Sequence, residues 1–127
     1  MVARSIGFRA CTKEPVAPFD FDLKVRSMRA LTAVDGAQVL RVSDIEPGKV
    51  SLRVSWDVEA RDLEWAAYSD ELRQRLAGRP EFRATESSDG ALGFVRSFPA
   101  DVHVLRIERV SAGPPMRAHV TFISMAD

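Results

Sequence analysis

Asp20 and Asp22 are the first residues in this chain placed to do chemistry. On one face of a strand they would stand about 7 Å apart and could hold a hard cation through oxygen ligands. The wet face of any alternating strand shows the same spacing, so no metal and no cofactor is expected from it. His103 and His119, the two histidines, could each serve as a general base or metal ligand. Asp101 precedes His103 by two positions, and residues two apart on a strand point the same way without orienting each other as a base and its partner must. Cys11 is the single cysteine and, with a histidine, would be the minimum for thiol catalysis. It lies in an irregular N-terminal stretch, without the rigid support a nucleophile needs. Gly90-Ala91-Leu92-Gly93 precedes a strand, where a phosphate cradle wants a helix N-terminus. No serine stands in G-x-S-x-G context. No catalytic residue is assigned.

The arginines remain. Arg26, Arg41, Arg53 and Arg117 fall on the polar phase of strand-like segments. If those strands are neighbours, they form a basic stripe on the sheet face away from the helix, unless Asp22, Asp44 and Asp57 pair with them. With Phe8 and Arg9 of the N-terminal segment they are the candidate interaction residues, suited to protein contact through planar guanidinium groups.

The elements that would carry these residues follow from periodicity. Val50, Leu52, Val54, Trp56 and Val58 alternate with polar residues, the period of a half-buried strand. From about Ala60 the period changes: Trp65, Tyr68, Leu72 and Leu76 share one helical stripe, opposite Glu64, Asp70, Arg73 and Gln74. Asp57 is the best N-cap candidate, Gly78 can take a left-handed C′ conformation, and Pro80 stops the helix. Phe19, Phe21, Leu23 and Val25 alternate with charged residues and read as a strand. The phase slips at Ser27, and residues 26–34 fit a bulged strand or a helix, with the strand favoured. Further strands are expected at 38–42, 82–86, 91–98, 102–110 and 116–124, with 102–110 central because Val102, Val104, Leu105 and Ile107 put apolar groups on both faces. Glu46-Pro47-Gly48-Lys49 suits a type II turn.

The chain therefore reads as α+β: a mostly antiparallel sheet of about six strands, with one main amphipathic helix over about 60–77 packed on one face. Residues 1–18, broken by Pro15 and Pro18, form an extended arm, and 19–127 form one domain. The 127 residues suffice for a buried core, and 18 basic against 18 acidic residues argue against a general nucleic-acid binder. One cysteine excludes a disulfide framework and makes a reducing compartment, the cytoplasm or an assembled particle, the default. No signal peptide or membrane span is expected.

Without convergent catalytic groups, the expected role is a non-enzymatic assembly subunit: a homo-oligomer or part of a multi-protein particle. By analogy of fold it would be a ring- or tube-forming virion component such as a bacteriophage tail or neck protein. The alternative is an enzyme or small-molecule site between sheet and helix, walled by Trp56, Phe94, Phe98 and Leu105, with Asp101 or His103 as its polar group.

Overall fold

The computed structural model describes residues 18–47, 51–99 and 101–126. In chain order these are α1 (Pro18–Thr32), β1 (Ala37–Pro47), β2 (Ser51–Ala60), α2 (Trp65–Ala77), β3 (Phe82–Ser87), β4 (Ala91–Ser97), β5 (Asp101–Ser111) and β6 (Met116–Ala126). The strands form one antiparallel sheet in the order β1-β2-β6-β5-β4-β3. β5 is central, as its two apolar faces predict. The fold is α+β with two helices rather than one main helix. Of the expected arm at 1–18, Pro18 belongs to α1 instead, and residues 1–17, with Phe8, Arg9 and Cys11, lie outside the described residues, as does the turn at 48–49.

The segment from Phe19 to Val25 is helical, not a strand. Pro18 stands at the first helical position, where its missing N–H costs nothing, and Asp20 and Asp22 follow. The buried stripe is Val25, Met28 and Leu31, a helical spacing that outweighs the short alternation before it. Leu23, half exposed, belongs to no buried row. Because residues two apart on a helix do not face each other, the cation argument for Asp20 and Asp22 falls with the strand.

β2 keeps its alternation through Ala60, so α2 starts at Trp65. Asp57 is therefore a strand residue, not an N-cap. Glu64 occupies the cap position without a side-chain hydrogen bond. The helix start is held instead by its surroundings: the Trp65 backbone N–H donates to the Ala112 carbonyl at 2.8 Å and its indole N–H to the Asp89 carbonyl at 2.9 Å. Gly78 closes the helix in a right-handed conformation (φ −78°), not the left-handed one.

One face of the sheet is covered. Val54, Trp56 and Val58 of β2, Leu92 and Phe94 of β4, Leu105 and Ile107 of β5, and Ala118, Val120 and Phe122 of β6 pack against Met28, Tyr68, Leu72 and Leu76. Trp56, Phe94 and Leu105, expected around a pocket, are buried in this core. The connection β2–α2–β3 carries the chain from one side of the sheet to the opposite edge, and the run β3-β4-β5-β6 returns to pair with β2. Neither helix lies across the other face.

Candidate functional site

Two groups of polar residues stand out, one on each face of the sheet. The first lies at one end of the helix-covered face. His103, 2% exposed, sits between Phe98 and Phe122, whose rings meet it edge-on at 5.1 and 5.3 Å. Arg96 donates to His103 Nδ1 from Nη2 at 3.0 Å and Nε at 3.3 Å. An arginine only donates, so Nδ1 must be the acceptor and the proton sits on Nε2, which faces Asp101 Oδ2 at 3.1 Å. Asp101 in turn accepts from Lys24 Nζ of α1 at 3.1 Å. The Arg96 guanidinium lies 5.0 Å from the ring centroids of both Phe82 and Phe98. Burial and the neighbouring Arg96 charge hold the His103 pKa below its ordinary value, so the ring is neutral at pH 7. Burial alone would raise the Asp101 pKa, but hydrogen bonds from Lys24 and His103 outweigh it and hold that carboxyl low.

Asp101 thus does contact His103, contrary to the expectation from strand geometry: the two lie on one side of the start of β5, and Asp101 Oδ2 comes within 3.1 Å of His103 Nε2. With both ring nitrogens engaged, His103 has no free lone pair to act as a base. This group ties α1 to the start of β5.

The second group lies on the uncovered face. Arg41 Nε donates to Asp57 Oδ2 at 3.0 Å, and Asp57 Oδ1 meets His119 Nδ1 at 2.9 Å. Arg117 donates to Glu59 Oε2 at 3.0 Å. Arg106 binds Glu86 at 3.1 Å and also Glu108. Burial would raise the Asp57 pKa, yet the His119 and Arg41 hydrogen bonds prevail and lower it. An ionised Asp57 accepts, so His119 donates through Nδ1–H and, when neutral, carries its lone pair on Nε2. That orients a base, but among the described residues no hydroxyl, thiol or amine is hydrogen-bonded to Nε2. The arrangement lacks a nucleophile.

Bulges in β1 at Val39/Arg41 and in β5 at Arg109/Ser111 flank this row. With Leu40 and Val110, 45% and 64% exposed, they border a recess of 440 Å³ whose lining includes Arg41, Asp57 and Arg117. Toward the other end of the same face the residues are apolar: Val95, Val102, Val104 and Ile123 are half-buried and Met125 is exposed.

Of the candidate interaction residues, Arg41, Arg53 and Arg117 share this face on the adjacent strands β1, β2 and β6. They form a grid of paired charges rather than a basic stripe, because Asp57 and Glu59 stand between them. Arg53 is also engaged by a partner. Arg26 stands apart from them on α1, exposed. The residues missed were Val104, Ile123 and their apolar neighbours. Their signal was Val102 and Val104 on the outward phase of β5, which the central position of that strand also explains.

Among the described residues no three His, Cys, Asp or Glu side chains converge as metal ligands, and no helix is long and apolar enough to cross a membrane. No protein-family model matches the chain, and neither the curated proteins nor the solved structures give a significant match.

Proposed function

We propose that this chain is a non-enzymatic assembly subunit that docks another protein surface against the uncovered face of its sheet. The observation that carries the reading is the apolar group Val95, Val102, Val104, Ile123 and Met125, contiguous on three neighbouring strands with no helix of the described residues across it, bordered by paired charges. An apolar centre with a polar rim is the anatomy of a protein interface. The sheet edges suit docking less. β1 is bulged twice and β3 once, which blunts strand addition. The narrower form of the proposal is a repeating subunit of a ring or tube, as in a bacteriophage tail or neck. In such a particle this face would supply one of the contacts between subunits.

The test is sedimentation of the full chain in a lysate of its source cells. The wild type is expected in a particle heavier than the monomer, and Val104→Asp with Ile123→Asp is expected to return it to monomer mass. A particle indifferent to both substitutions would sink the reading.

A second reading, a small-molecule site, is favoured by the recess beside the Asp57–His119 pair. Native mass spectrometry of the chain purified from its source reads it directly. A stoichiometric extra mass that Asp57→Asn abolishes would support it, and the bare chain mass would overturn it.

A further inference from the structure

We infer that the occupant of the uncovered face is a second copy of this chain, related by a twofold axis that runs parallel to the strands and passes between β5 and β6; this rests on the docking reading above. Three observations converge on that axis.

The first is symmetry of the sheet. In the order β1-β2-β6-β5-β4-β3 the midline falls between β6 and β5. A twofold axis along it lays β6 of one copy over β5 of the other, β2 over β4 and β1 over β3, so no strand is left uncovered.

The second is what that superposition brings together. Such an axis keeps each row of cross-strand partners over the same row of the copy. Ile123 and Val104 are cross-strand partners, as are Met125 and Val102. Ile123 of one copy therefore lies over Val104 of the other, and Met125 over Val102, with apolar groups meeting at the centre. His119 and Glu108 also share a row, so each copy's imidazole lies over the other's carboxylate. Arg53 lies over Val95 and Arg106 over Thr121, and none of the rows near the axis sets like charges face to face. The other in-plane twofold axis, perpendicular to the strands, reverses the rows. Placed at mid-strand, it would set Ile123 over His119 and Val104 over Glu108 and desolvate the paired charges Asp57–His119 and Arg106–Glu108 against apolar groups, which is costly; moved to the apolar end, it would leave much of the face uncovered. The face is self-complementary about one axis and not about the other.

The third is area. Six strands spaced about 4.8 Å apart and about ten residues long give a face of roughly 800 Å². A stable interface buries about 800 Å² on each partner.

The experiment is light scattering coupled to size exclusion on the purified full chain across a wide concentration range. A concentration-dependent dimer is expected. Val104→Asp and Ile123→Asp, each half-buried in the free chain, should raise its dissociation constant tenfold or more while leaving the circular-dichroism melt cooperative. Spin labels give a second reading that needs no loss of binding. Ala112, in the loop joining β5 to β6, lies at the axis, and Ser88, in the loop joining β3 to β4, lies far from it. On a Cys11→Ser background, labels at Ala112→Cys should give a much shorter distance between copies than labels at Ser88→Cys. A wild type that stays monomeric while its particle in lysate still depends on Val104 and Ile123 would overturn the second copy and leave the docking reading standing. A purified dimer indifferent to both substitutions, or with the two label distances reversed, would overturn the axis. Protection of residues 1–17 from protease in a monomer, lost in Val104→Asp, would identify the chain's own N-terminal segment as the cover and overturn the inference as well.

Discussion

His103 shows how a single residue links this fold to pH. Its folded pKa lies below the ordinary 6.5 because burial and Arg96 penalise the imidazolium. Between the folded and unfolded values the unfolded chain binds a proton that the native chain refuses, so stability rises with pH through that window. It is complete above about 6.5 and is lost as the pH falls below it. Asp101 and Asp57 have folded pKa values below 3.8, so what they contribute is present above that value and is lost at still lower pH. All three have the same sign. The melting temperature of the wild type should therefore fall as the pH is lowered from about 7 to about 5, before the carboxylates titrate. His103→Gln, which cannot acquire the charge, should remove much of that fall. A slope unchanged in the variant would mean that His103 is protonated in the native state.

The elements are held together at their ends more than by their own caps. At the end of α1 the Arg29 carbonyl accepts from the Ala33 N–H and the Thr32 hydroxyl, and α2 supplies donors to two others: the buried Tyr68 hydroxyl donates to the Thr32 carbonyl and Arg75 Nη1 donates to the Ala30 carbonyl at 3.3 Å. Burial also pushes the Tyr68 phenol pKa up, so it stays a donor. Tyr68→Phe removes that donor and leaves a buried carbonyl unpaired, a cost of about 1–3 kcal/mol. Chemical denaturation should show the loss, and amide exchange should speed up first in the last turn of α1. The β5–β6 loop has a comparable dependence on one residue. Gly113 has φ +82°, and a Cβ there would lie 2.4 Å from the Met116 backbone nitrogen. Gly113→Ala must displace backbone at the loop that accepts the Trp65 N–H through Ala112, so it should cost on the order of 1–3 kcal/mol. An urea midpoint equal to that of the wild type would show that the loop can rebuild itself freely.

At the scale of the whole molecule, the two parts of the sheet, β1-β2 and β3-β4-β5, are joined through β6. Phe122 lies on that strand, fully buried between the cross-strand partners Val54 and Leu105 and beside His103. Phe122→Ala should cost about 3–5 kcal/mol. That is a large share of the 5–15 kcal/mol typical of a domain. Because Trp56 and Trp65 belong to the same core, tryptophan fluorescence and far-ultraviolet circular dichroism should report one shared, lowered urea midpoint. Separate midpoints would mean that β6 does not couple the two parts.

Period is a local property, and over most of the chain it was legible residue by residue. The alternation of Val54, Trp56 and Val58, the helical stripe Trp65, Tyr68, Leu72 and Leu76, and the apolar run of β5 determined an α+β chain with about six antiparallel strands. The local signal failed at Phe19 to Val25, where a short alternation competed with a helix start at Pro18. There the burial of Val25 and Met28 decided the matter, and burial is a tertiary property. Strand order is tertiary as well: nothing in β2 names β6 as its neighbour. That order alone put Asp57 between Arg41 and His119, turned the expected basic stripe into paired charges, and set Val104 beside Ile123 on the uncovered face. The sequence by itself determined the strands from β1 to β6 and the helix α2, because propensity and periodicity act over a few residues; it did not determine α1. Only the tertiary structure decided which side chains meet, because those contacts join residues tens of positions apart.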